Sequence, residues 1–154
     1  MIKQRWCGTG LLLLAACSGG SRPEPTQPVR TAASVVQGFM QAVADSNLTK
    51  MATLWGTANG PAAKTGQPPD YERRIVIMQA YLRNDSFRVT SDVPESPARR
   101  DLQVELKRRT CTWSVPFVVV KTGDGSWLVN QVDLTAAGNP ARPCLEGSDS
   151  AAQG

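Results

Sequence analysis

Residues 101–109 read DLQVELKRR. Leu102, Val104 and Leu106 alternate with Asp101, Gln103, Glu105, Lys107 and Arg109, a clean period of two. Successive side chains of a strand point to opposite faces, so this is a strand with one apolar face and one wet face. Next along the chain, residues 112–121 are apolar on both faces, which predicts a central or covered strand. Pro116 inside it predicts a bulge or bend. Thr122-Gly123-Asp124-Gly125 reads as a hairpin turn, and residues 127–134 as the returning strand. Before residue 101, Phe87, Val89 and Ser91 alternate with Arg88, Thr90 and Asp92, and residues 94–97, bounded by prolines, predict a turn. The expectation is a mainly antiparallel sheet of about four strands.

Upstream the period changes. Val35, Val36, Phe39, Met40 and Val43 form one apolar stripe of a helix over residues 31–46, broken by Asp45-Ser46-Asn47. Leu48, Met51, Ala52 and Trp55 fit a second, short helix ended by Gly56. The stretch from there to Pro69, rich in Gly, Ala and Pro, reads as a loop. Asp70 is a good N-cap for a third helix with Tyr71, Ile75, Met78 and Leu82 on one face, ended by Asn84-Asp85. Helices first and antiparallel strands after is an α+β order, and the three helices are expected to pack across a curved sheet.

The N-terminus reads differently. Lys3 and Arg5 precede a short apolar run, Leu11 to Leu14 with Ala15 and Ala16. The run is far below the ~20 residues that cross a bilayer and has the layout of an export signal. Leu14-Ala15-Ala16-Cys17 resembles the lipobox of bacterial lipoproteins. That resemblance implies cleavage before Cys17 and acylation of its thiol and new amine. A plain signal with a chance cysteine, or a retained short anchor, are the alternatives. Burying acyl chain is worth roughly 0.8 kcal/mol per methylene, so several chains anchor stably. Ser18 resembles the outer-membrane-directed case, where aspartate commonly signals inner-membrane retention. Residues 1–16 are thus a signal and 17–30 a tether. Gly and Ser loosen the tether, and Pro23, Pro25 and Pro28 stiffen it. At about 3.1 Å per residue it spans a few tens of Å.

Composition narrows the chemistry. The 154 residues suit one domain, with a formal net charge of +4 that shrinks when the signal leaves. An exported chain is not expected to meet nucleic acid, and its basic pairs are scattered. The group Lys107-Arg108-Arg109 reads as a solvated strand face or as a contact for acidic lipid or glycan. There is no histidine, which removes a Ser-His-Asp triad and a His-based zinc site; no metal or cofactor is expected. With Cys7 leaving in the signal and Cys17 lipidated, Cys111 and Cys144 remain. An even pair in an oxidising compartment suggests a disulfide, worth roughly 3–4 kcal/mol in the chain-entropy account. Two separate thiols are the alternative.

The stretches SVVQGFMQAVADSNLTKMATLW (34–55) and GDGSWLVNQVDL (123–134) resemble the nuclear-transport-factor-like, or SnoaL-like, superfamily of cone-shaped α+β domains. The resemblance covers residues 31–135 and leaves 136–154 as a loose tail. It implies a conical pocket, in some members catalytic and in others a binding or assembly site, and dimers through the exposed sheet face. Isomerases of this kind use a carboxylate base in an apolar pocket. The candidate here is Asp133, with Tyr71 and Tyr81 as hydrogen-bond donors, against the ordinary reading of a solvated strand-end aspartate. Trp55, Tyr71, Trp113, Trp127 and Gln131 are candidate pocket residues, against a plain core role for the aromatics. The expected function is a non-catalytic envelope lipoprotein module for a small apolar ligand or a protein partner. An isomerase- or hydratase-like enzyme and a cell-envelope spacer are the alternatives.

Overall fold

The computed structural model describes residues 30–142; the lipobox around Cys17, the tether up to residue 29 and Cys144 lie outside them. The first helix, α1 (Ala32–Ala44), starts where Thr31 caps it: its hydroxyl accepts the Ser34 N–H at 3.1 Å, and the Ser34 hydroxyl donates back to the Thr31 carbonyl. Ser46, at φ 53°, turns the chain, and the Asn47 side chain caps α2 (Leu48–Leu54) through the Lys50 N–H.

The expected loop after α2 is more ordered than its composition suggests. Strands β1 (Gly56–Thr57) and β2 (Gly60–Pro61) form a tiny hairpin, followed by the single turn α3 (Ala62–Thr65). Gly56 permits the hairpin, because a Cβ there would stand 2.3 Å from the Gly60 carbonyl oxygen. Elements this short carry no periodicity; the turn falls on Ala58-Asn59, with Gly60 at φ 133° just beyond it.

Helix α4 (Tyr71–Leu82) begins after Asp70 as expected, but that side chain caps no backbone N–H. Its carboxylate instead takes the Arg74 guanidinium at 2.9 Å.

The strands β3 (Ser86–Ser96), β4 (Arg99–Arg108), β5 (Cys111–Lys121) and β6 (Trp127–Val132) form an antiparallel meander in that order. Leu102, Val104 and Leu106 are buried as the alternation predicts. The predicted turn at residues 94–97 is displaced: Pro94 lies within β3 opposite Arg100, beside a register shift. An edge strand tolerates the lost donor. Pro116 fits the interior strand β5 for a similar reason. Its carbonyl accepts the Asp133 N–H just past the end of β6, so its ring nitrogen faces the side where the ladder has run out. The bulge comes two residues later, where Asn130 is the extra residue of β6 between Val118 and Val119 pairing. A 3₁₀ turn (Leu134–Ala137) follows and buries Ala137, so the packed core reaches past residue 135.

The core lies between α1 and the sheet. Phe39 meets Phe117 edge to face, centroids 6.3 Å apart. Met40, Val43, Met51, Ile75, Leu82, Val115 and Val119 fill the space around them. Side chains thus fill the space between α1 and the sheet.

Candidate functional site

The open space lies at the side of the core. A groove of about 450 Å³ runs between α4 and the C-terminal end of the sheet. Its walls are apolar: Trp55, Ile77 and Met78 on the helical side, Pro116, Val118, Val132 and Leu134 on the other. Arg74, Asn130, Gln131 and Asp133 supply the polar groups.

The bulge builds one end of this groove. Trp55 donates its indole N–H to the Asn130 carbonyl at 3.0 Å, and the Asn130 amide donates to the Gly56 carbonyl at 2.8 Å. Trp55 also bridges to Val129, so the hairpin covers the outer edge of β6. Gln131 is exposed, and its amide makes no hydrogen bond among the described residues. Arg74 reaches the rim as half of the exposed Asp70 pair.

Of the five candidate pocket residues, Trp55 and Gln131 line this groove. Tyr71 lines a separate hollow of about 290 Å³ with Leu48, Ile75 and Val76, its hydroxyl 3.4 Å from the Glu72 carboxylate. Trp127 faces a polar hollow of about 670 Å³ made largely of loop residues, under the Lys121 ammonium at 5.6 Å. Trp113 stands near the start of β5, stacked under Arg108 at 5.1 Å and flush against Gly138. Tyr81 contributes its backbone carbonyl to Arg108. Apolar walls with a few convergent polar groups favour the first groove over the larger, polar hollow. Arg74 and Asn130 escaped the sequence reading. Nothing in a helical arginine or a strand asparagine distinguishes a groove residue, and only the register with the bulge places Asn130 there.

Asp133 lines the groove as an exposed cap and not as a buried base. Its Oδ1 accepts the Thr135 hydroxyl at 2.6 Å and the Thr135 N–H at 3.0 Å, capping the 3₁₀ turn. The Thr135 hydroxyl above all holds its pKa below the ordinary aspartate value; burial opposes this, and the backbone N–H groups of Thr135 and Ala136 add to the lowering. A base of the isomerase kind needs the opposite shift, upward through burial in apolar surroundings. Among the described residues no charged or polar side chain is buried, and no three metal-ligating side chains gather.

The lowered pKa has a consequence for stability. A carboxylate with a depressed folded-state pKa stabilises the fold above its unfolded pKa of about 3.9 and loses that contribution as the pH falls through the folded value. Asp133→Asn should therefore flatten the acid limb of the melting-temperature profile below about pH 4. Thermal melts between pH 2.5 and 7 check this, and an acid limb identical to the parent's would refute the cap assignment.

No protein-family model matches the chain, and no curated protein matches its sequence. Three solved structures are similar in shape. A ketosteroid isomerase-like protein from Erwinia carotovora atroseptica SCRI1043 has a TM-score of 0.48 at 11% identity, covering 70% of this chain and 94% of that one. A candidate ketosteroid isomerase from Shewanella frigidimarina NCIMB 400 has a TM-score of 0.47 at 16% identity, covering 68% and 95%. A nuclear-transport-factor-2-like protein of unknown function from Shewanella oneidensis MR-1 has a TM-score of 0.40 at 16% identity, covering 64% and 90%. The likeness is one of overall shape, and the activities in those descriptions belong to those proteins.

Proposed function

We propose that the chain is a lipid-anchored, non-catalytic binding module of a bacterial envelope. Its α4 groove takes a small, mainly apolar ligand. The observation that carries this reading is the groove itself: apolar walls of Ile77, Met78, Val118 and Val132, with the amide of Gln131 at the edge to orient one polar end of a ligand. The volume is within the range of small-molecule sites. The reading without catalysis is supported by Asp133, the carboxylate of the groove, whose pKa is lowered and which is already spent as a cap.

The anchor is part of the proposal. Cys17, behind its basic start and apolar run, would carry the acyl chains, and Ser18 would send the protein to the outer membrane, facing the periplasm. A Cys111–Cys144 disulfide would tie the tail to the sheet. Cys111 is buried at the start of β5.

Titration with an apolar fluorophore such as anilinonaphthalene sulfonate tests the groove. Val118→Trp fills one wall and should weaken probe binding by about tenfold, the effect expected of closing most of a site of this size. Asp133→Asn should leave binding unchanged. Equal binding by parent and Val118→Trp would refute the groove as the site.

A further inference from the structure

The outward face of α4 is not the polar surface expected of a helix packed on a core. Arg73, Val76, Ile77, Ala80 and, at the helix end, Arg83 fall at i, i+3, i+4, i+7 and i+10, on one side. They make a stripe about 15 Å long, apolar in the middle and cationic at both ends. Val76 is 52% and Ile77 40% exposed, two of the four large apolar side chains exposed among the described residues. A third, Leu48, shares a hollow with Val76 and widens the apolar patch.

The charge continues past Arg83. Arg108 donates to the Arg83 carbonyl, Asp85 donates its N–H to the Lys107 carbonyl, and Arg109 donates its N–H to the Asp85 carboxylate. These bonds hold Lys107 and Arg109, in and beside the β4–β5 turn, next to the end of the helix. The ion-paired arginines are elsewhere or at the groove rim: Arg74, Arg88, Arg99 and Arg100. Arg73, Arg83, Lys107 and Arg109 make no ion pair among the described residues. Asp70, Glu72 and Asp85 are the acidic side chains near them; Asp70 is already paired with Arg74, so four cations face two unpaired carboxylates.

We propose that this face of α4, with the β4–β5 turn, docks on an anionic lipid surface. Apolar side chains between guanidinium groups match such a surface in both chemistries. Val76 and Ile77 reach the acyl boundary, while the arginines pair with headgroup phosphates. A purely anionic partner would use the cations and leave the exposed Val76, which is no part of the groove wall, without a role. The docking does not rest on ligand binding or on lipid at Cys17. It would bring the groove mouth, which Arg74 and Ile77 also line, close to the bilayer.

Flotation of the Cys17→Ser chain, which cannot be acylated, with phosphatidylcholine vesicles, with and without phosphatidylglycerol, tests this. Phosphatidylglycerol should add binding that falls with salt. The pair Arg73→Gln and Arg83→Gln should weaken the added binding by about 25-fold, roughly fivefold per cation near a charged membrane. The pair Lys64→Gln and Arg88→Gln, off this face and of the same charge change, should leave it unaltered. Val76→Ser should weaken it by about tenfold without changing the salt dependence. The proposal is overturned if phosphatidylglycerol adds nothing, or if both charge pairs weaken binding equally, since net charge alone would then explain it. It is also overturned if Val76→Ser has no effect, since a plain anion contact would suffice.

Discussion

Phe39→Ala will lower the stability of the domain by about 3–5 kcal/mol, the usual cost of deleting a buried phenylalanine. The ring has no solvent exposure, and its edge-to-face partner Phe117 comes from the middle of β5. The pair joins the first helix to the sheet, so the variant loses apolar burial, the aromatic contact and the packing of Met40 and Val119 around the void. Small domains have only about 5–15 kcal/mol in total, so much of the stability goes. Urea denaturation followed by far-ultraviolet circular dichroism should show a much lower midpoint with an unchanged slope. A loss under about 1 kcal/mol, the range of ordinary surface changes, would mean that α1 does not pack as described.

Arg108→Met should cost about 2–4 kcal/mol, from two charge-assisted hydrogen bonds and a cation–π contact. The guanidinium donates to the carbonyls of Tyr81 at 2.5 Å and Arg83 at 2.9 Å, so it caps the C-terminus of α4. It also lies over Trp113, and partial burial lowers its pKa. Methionine keeps much of the side-chain bulk and removes the fork. Lysine should rescue little, because a point charge cannot serve two carbonyls and a ring at once. Hydrogen exchange should show α4 losing protection first at its C-terminal turn. Unchanged protection there would show that the helix end is held by something else.

These two sites illustrate what was legible in the sequence. Phe39 was readable because its neighbours Val35, Val36, Met40 and Val43 share its helical stripe, and Leu102, Val104 and Leu106 because a strand repeats every two residues. Arg108 was not. In the alternating pattern it falls on the apolar face, but only the fold brings the end of α4 to it. The hairpin at Gly56 and Gly60 was too short for any period to appear. Pro94 was misread as a turn because a proline in an edge strand and one in a loop look alike until the sheet order is known. The groove was half visible. Trp55 and Gln131 meet there, but the other aromatics scatter because each was picked for its type, and type does not encode which hollow it faces. Asp133 was placed near a strand end, and there its neighbour Thr135 two residues on decides its role as a cap.

The central claim is that the α4 groove holds a small ligand. Its most direct test is native mass spectrometry of residues 31–154, exported to an oxidising compartment and purified without reductant, beside the Val118→Trp variant. The expected result is a retained adduct with the mass of a small organic molecule on the parent chain and its loss from the variant. An adduct-free parent, or an adduct that survives the filled groove, would contradict the claim.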